Sequence, residues 1–266
     1  MNDTPPWGRY AELRPDDLEW ILETAPIAYV PWGALEWHGA HLPFGLEGIT
    51  AEALAERVVR RTGGVLLPAT WWSISALPHR FSLALPSEVI QSLWDSIFAE
   101  LARAGFRMVV LISGHYTQGH ELVLMDSAEH AIAEHGILVL AVPPLALVDE
   151  AMLDHAGHWE TALMLALRPK LADLSQLDDA PLDPATSAVL GDDPRRATAG
   201  HGESALKLAT ERLAVGVQSL MQHGGPSVLR ELYARRRAHY QQFVERYFRG
   251  SWDDALAAWW EEQSKL

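Results

Sequence analysis

The chain has 266 residues, 48% hydrophobic and 21% charged, which suits one large α/β domain or two small ones with a sizeable core. Its formal net charge of −14 argues against nucleic acid or an anionic membrane as the main partner. There is no cysteine, so disulfides and thiolate zinc sites are excluded and any metal must be held by nitrogen and oxygen.

In chain order, the start "MNDTPPWGRYAEL" lacks the basic and apolar segments of a signal peptide, which makes the cytoplasm the expected location. "PDDLEWILETA" reads as a short amphipathic helix with an acidic first turn. "IAYVPW" reads as a buried strand. "GITAEALAERVVRRTGG" predicts a helix with Thr50 as N-cap and a glycine stop. "GVLLPAT" is a second strand. "LPSEVIQSLWDSIFAELARAGF" predicts a helix capped by Ser87 and ended by Gly105. "RMVVLIS" is the clearest strand, a continuous apolar run rich in β-branched residues. A helix through "ELVLMDSAEHAIAEHG" and a strand "ILVLAVP" follow. The apolar stretch "ILVLAVPPLALV" is shorter than the roughly 20 residues that a membrane-spanning helix needs. Helices alternating with wholly apolar strands predict a single-domain α/β/α sandwich on a parallel sheet. Residues 174–201, rich in Asp, Pro, Gly and Ala, read as a long loop. "ESALKLATERLAVGVQSLM" is a further helix. The division expected is an α/β domain over 1–222, with a C-terminal helical extension over 223–266 packed on it. The arginines of "ARRRAHY" in that extension are expected to make salt bridges within the oligomer.

Ligands gather at the carboxyl ends of parallel strands. Three polar clusters fall at such places or near a helix start. "GALEWHGAHLPFGLEG" follows the first strand and carries Glu36, His38, His41 and Glu47. "SGHYTQGH" puts His115 directly after "RMVVLI". "DHAGHWETALMLAL" has His155 and Glu160 at the start of an apolar helix. Glu36 and His38, two apart, point the same way in extended backbone. Imidazole and carboxylate without sulfur suit Zn, Mn or Fe. Each residue alone also has an ordinary reading as a turn, a surface group or a helix-start carboxylate. Trp37 and Trp159, next to the clusters, are candidates to line a pocket. His41 either orients a ligand or caps a turn. His120 reads as a surface residue of the following helix.

"PWGALEWHGAHLPFG" resembles the first signature of the creatininase (creatinine amidohydrolase) family, PxGSxEQHGPHLPxGTD. "GFRMVVLISGHYTQG" is similar to its second, a strand leading into NGHGGN or GHYEN. "DHAGHWETALMLAL" is similar to its third, HAGxxETS, and "GDDPRRATAGHGESAL" to the segment near the family's end. The resemblance runs from about residue 12 to 221. It implies a parallel-sheet α/β fold, a binuclear metal centre and hydrolysis of amide C–N bonds, including cyclic ones. It implies that Glu36 and His115 bind one divalent ion and His38 and Glu160 the other, with Glu47 bridging, and that His155 transfers the proton. Tyr116 stands where creatininases carry tyrosine and is a substrate-binding candidate. A small-molecule amide substrate and a homo-oligomer, hexameric by resemblance, are further implications. The chain departs from the pattern at Glu47 (aspartate in the family), Ala34 (serine), Thr117 (a metal-touching glutamate in creatininases), His158 (glutamate) and Ala162 (serine). The alternatives are a binding or scaffold protein that keeps the fold without turnover, and a lactone or ester hydrolase.

Overall fold

The computed structural model describes residues 5–265. Strands β2 (Ile27–Trp32) and β4 (Met108–Ser113) are buried at every position, so both faces of the pleat are covered, as their unbroken apolar runs require. With β1 (Trp7–Arg9), β3 (Gly64–Leu66) and β5 (Leu138–Ala141) they form a parallel sheet in the order β1-β3-β2-β4-β5. β2 and β4 run in register from Ile27–Met108 to Trp32–Ser113, ending level with each other.

The covering helices are α1 (Pro15–Thr24), α2 (Leu46–Thr62), α3 (Ser87–Arg103), α4 (Gln118–His135), α5 (His158–Leu167), α6 (Pro184–Ser187), α7 (Ala199–His223), α8 (Pro226–Tyr247) and α9 (Trp252–Gln263). α3 buries Ile90, Trp94, Phe98 and Leu101, one stripe at helical spacing. α2, α5 and α7 pack on one another, and α4 packs on α3, α8 and α9. No helix among the described residues is long and apolar enough to cross a membrane.

Several boundaries differ from the expectations. α2 starts at Leu46, with Gly45 before it, so Thr50 lies buried inside the helix and is not its cap. Ser87 is the first helical residue after Pro86, and no side chain caps α3. The strand expected over 64–70 stops at Leu66, because Pro68 has no N–H for the ladder. β1 was not expected: its short edge pairing with β3 is made by tertiary contact, with no apolar run of its own. Residues 174–201 are less loose than their composition suggests, with short helical turns and with Ala188 and Val189 buried.

The C-terminal helices are tied to the sheet. The Tyr233 hydroxyl donates to the Val139 carbonyl and accepts from Ala141 N at 3.2 Å. Arg236, almost fully buried, pairs with Glu121 at 2.9 Å and Glu150 at 2.5 Å. Arg237 pairs with Asp126 and Glu129 of α4 at 2.7 and 2.8 Å. For these two arginines the expected salt bridges form within the chain. α8 lies along the acidic side of α4 and finds its partners within the chain.

Candidate metal centre

From β2 the chain crosses through α2 to β3 on one side. It then returns through α3 to β4 on the other side of β2. This reversal leaves a crevice beyond the carboxyl ends of β2 and β4. Residues 33–45, after β2, bring Glu36 and His38 to it, and the first turn of α2 brings Glu47. His115 stands two residues beyond β4. His155 and Glu160 come from the segment entering α5. The approach is close enough to demand glycine. A Cβ on Gly33 would lie 2.2 Å from Gly48 N, and one on Gly114 would lie 2.3 Å from the Glu47 carbonyl oxygen. Hydrogen side chains at Gly33 and Gly114 let the first turn of α2 rest on the ends of both strands.

All five ligand candidates, Glu36, His38, Glu47, His115 and Glu160, are buried. His115 Nδ1 stands 2.9 Å from Glu47 Oε1 and 3.0 Å from Glu36 Oε2. His38 Nε2 stands 3.4 Å from Glu160 Oε2 and 3.9 Å from Glu47 Oε1. Glu47 thus faces both a Glu36–His115 pair and a His38–Glu160 pair. His155 stacks on His38 at 4.2 Å between ring centres, with its Nδ1 4.0 Å from Glu36 Oε2. Ligand atoms of Glu36, His38, Glu47 and His155 all lie within 4.8 Å of one another.

The free nitrogens are set by the hydrogen bonds at their opposite ring positions. His38 Nδ1–H donates to the Glu36 carbonyl at 2.9 Å, which leaves Nε2 as the lone pair facing the centre. His155 Nε2–H donates to the Trp37 carbonyl at 2.9 Å and leaves Nδ1 free. His115 Nε2 lies 3.0 Å from the Ser75 carbonyl and 3.0 Å from Thr117 Oγ1, while its Nδ1 faces the carboxylates.

The charges are unbalanced without a cation. Burial pushes the Glu47 carboxyl up to about 7 against the pull of His115. Burial and the neighbouring Glu47 and Asp154 carboxylates raise Glu160 well above the usual range. Burial also acts on Glu36, but His115, His155 and His38 prevail and hold its carboxyl below the usual range. Burial drives His38 down to about 3, so it is a neutral donor. Burial opposes the charged form of His115, yet the Glu47 and Glu36 carboxylates outweigh it and raise its pKa. Glu36 Oε2, His38 Nε2 and Glu47 Oε2 are buried and find no hydrogen-bond partner among the described residues. Orphaned atoms converging from two carboxylates and one imidazole, with the Glu160 carboxylate and the His115 ring beside them, are what divalent cations satisfy.

A second layer holds these groups, partly through residues that the sequence did not single out. Leu77 N donates to Glu36 Oε1 at 2.5 Å. Asp154 accepts the N–H groups of Trp159 and Glu160 at 2.7 and 3.1 Å and so ties down the start of α5. A carboxylate four residues before a helix is a signal that could have marked Asp154. Ser75 and Ala156 have φ of 60° and 51°. Such strained conformations persist where the surroundings hold them. Ser75 offers its carbonyl to His115, and Ala156 N donates to Glu160 Oε2 at 2.7 Å. Leu190 and His155 exchange two backbone hydrogen bonds, at 2.9 and 2.8 Å, so the 174–201 segment supports His155.

Among the described residues, His41 makes no hydrogen bond to a ligand candidate. Its Nε2 lies 3.1 Å from the Ala156 carbonyl and 3.3 Å from Thr161 Oγ1, bracing the segment that carries Glu160. His120 is not a surface residue, contrary to expectation. It is fully buried, accepts from Ile74 N at 3.2 Å and packs its ring edge-on to His115 and Trp94 at 4.9 Å. The first turn of α4 faces the core there, so His120 packs beside His115. A cavity of about 320 Å³ opens on the centre, lined by Glu36, Glu47, His115, Tyr116, His155 and Glu160 among others. Trp37 and Trp159 do not line it. Trp37 stacks on His79, and Trp159 meets His158 edge-on. Trp259 of α9 lines it instead, a residue with no local signal pointing to the site.

The creatininase family model, described as creatinine amidohydrolase, matches residues 11–217. A creatinine amidohydrolase of Pseudomonas putida is 28% identical over 233 residues, 77% of this chain and 89% of its own. A crystal structure of creatinine amidohydrolase (creatininase) is similar with a TM-score of 0.70 at 24% identity, over 81% of this chain and 97% of that one. A structure described as "Creatininase Mn" has a TM-score of 0.70 at 25% identity, over 79% and 97% of the two chains. A mutant creatininase of Zn-Zn type has the same TM-score at 24% identity, over 79% and 97%.

Proposed function

Because the chain belongs to the creatininase family, we propose that it is a metal-dependent amidohydrolase that cleaves the C–N bond of a small amide, open or cyclic. The observation that carries this reading is the convergence of buried, unpartnered atoms of Glu36, His38 and Glu47 on one point. Two divalent ions, Zn or Mn, or Fe by ligand chemistry, fit that donor set. Glu36 and His115 would hold one, His38 and Glu160 the other, with Glu47 shared. When bound, the ions supply a polarised carbonyl and a water acidic enough to give hydroxide near neutral pH.

The remaining work falls to the chain. His155 has its Nε2–H committed to the Trp37 carbonyl, so Nδ1 is the atom that takes the proton and passes it to the departing nitrogen. Burial lowers the His155 pKa, which keeps that nitrogen free at neutral pH. The Ser75, Thr117 and Ile74 oxygens orient His115, and the His41–Ala156–Glu160 chain orients Glu160. Tyr116 lines the same cavity, which supports a role in substrate contact. Creatinine itself is not assigned, since Thr117 stands where creatininases carry a glutamate.

Elemental analysis of the purified protein, with hydrolysis of a panel of small amides, cyclic amides, lactones and creatinine, tests the reading. Two ions per chain and metal-dependent release of amine are expected. A metal content near zero that added Zn or Mn does not change would overturn it and favour a scaffold role. Turnover confined to lactones would reassign the bond.

A further inference from the structure

We infer that the C-terminal helices α8 and α9 form one wall of the substrate pocket and select a neutral or cationic amide carrying an apolar, ring-sized group. This rests on the amidohydrolase reading and specifies the substrate class of the same site. The family match ends at residue 217, yet Tyr240, Leu256, Trp259 and His239 line the same cavity as Glu36, Glu47 and His155. The part of the chain that lies outside the shared family core therefore helps decide what fits beside the metals.

The wall is fixed in place. Arg236 Nη2 donates to the Tyr240 hydroxyl at 2.7 Å and to Glu121 at 2.9 Å, and the Tyr240 hydroxyl donates to Glu121 in turn. Ser75 Oγ lies 3.2 Å from Asp253 Oδ1, which joins α9 to the loop whose carbonyl holds His115. Trp259 packs on the small cluster of Leu42, Leu46, Leu77 and Ala156 beneath the centre. A wall anchored this way selects by shape without a large ordering cost on binding.

Its chemistry is apolar. The Tyr240 hydroxyl is used up by Arg236 and Glu121, so the ring is what it offers the cavity. Leu256 and Trp259 continue that surface, and Leu77, Leu153 and Leu190 also line the cavity. Among the described residues no arginine or lysine lines the cavity. Of the carboxylates beyond the metal cluster, Glu150 shares Arg236 with Glu121 and Asp154 is engaged by the Trp159 and Glu160 N–H groups, so Arg236 is not free for an anion. An anionic substituent on that wall, away from the metal cluster, would lose its hydration and meet no arginine or lysine. A cavity of about 320 Å³ is at the small end for ligand sites, which limits the apolar group to about one ring.

The test is calorimetric titration of the full-length, metal-loaded protein with three benzamides that differ only at the para position: methyl, aminomethyl and carboxylate. The methyl and aminomethyl compounds should bind about tenfold or more tighter than the carboxylate, the factor that about 1.4 kcal/mol represents. Trp259→Ala should weaken the methyl compound about fivefold or more, with metal content unchanged, and Trp259→Phe should restore most of the affinity. Tyr240→Phe, which keeps the ring, should retain binding. Carboxylate binding on a par with methyl, unchanged affinity in Trp259→Ala, or no binding of any of the three overturns the proposal. Metal-dependent hydrolysis of unsubstituted small amides is measured alongside. Its absence would count against the enzyme reading, independently of the wall.

Discussion

Replacing Glu47 with aspartate would install the residue that the family signature carries, yet it should damage this centre. Glu47 Oε1 stands 2.9 Å from His115 Nδ1 and 3.9 Å from His38 Nε2, so one oxygen faces both halves. Losing one methylene draws the carboxylate back by roughly 1.5 Å. The backbone cannot advance to compensate. A Cβ on Gly114 would already lie 2.3 Å from the Glu47 carbonyl, and one on Gly33 would lie 2.2 Å from Gly48 N. α2 is thus seated against the strand ends with nothing to give. Metal–ligand distances tolerate only about 0.2 Å, so the shortened carboxylate serves one half at most. The expected outcome for Glu47→Asp is about one tightly held ion and a fall in kcat/KM on the order of 100-fold, the scale of a 1 Å misplacement. Equilibrium dialysis against fixed free Zn or Mn, with amide hydrolysis on the same samples, measures both. A variant that holds two ions at least as firmly, or works faster, would refute the reasoning and mark the natural Glu47 as a defect.

His155→Ala should keep its metal while turnover drops about 10²–10⁴-fold, whereas His115→Ala should lose metal and activity together; stoichiometry and rate on one preparation distinguish them. Arg236→Ala should lose about 3–5 kcal/mol of stability in urea unfolding, because Glu121 is left buried without its counter-charge, and Arg236→Met, which fills the volume, should lose less. Gly216→Ala, on a stretch of α7 where a Cβ meets nothing within 4 Å, should gain about 0.5–1 kcal/mol and raise Tm. Burial raises the Glu121 carboxyl to about 7 despite Arg236 and Tyr240. A carboxyl raised in the folded state adds stability below its unfolded pKa, and that contribution is lost as pH rises through about 7. The urea midpoint of the metal-loaded protein should therefore fall between pH 5 and 8, and less steeply in Glu121→Gln; equal slopes would refute this.

The sequence by itself determined the core strands of the sheet and the ligand types on offer. "IAYVPW" and "RMVVLI" are apolar at every position, and only strands covered on both faces can bury such runs. The ligand types were legible for a similar reason: Glu36, His38 and His115 sit just past strand ends, where parallel sheets place ligands. The resemblance to one family supplied their order. The tertiary structure decided which groups meet. His115 and Glu47 are 68 residues apart, and their contact depends on β2 and β4 ending level and on Gly33 and Gly114 admitting α2. His120 reads as a surface histidine because helical period does not reveal that the first turn of α4 points inward beside His115. Thr50 resembles a cap because cap preference is local, while the start of α2 is set by its seating on the strand ends. Trp259 and Tyr240 carry no local mark of a pocket. They reach it because Arg236 finds Glu121, 115 residues away, and ion pairs between distant segments follow from packing, which no sequence window contains.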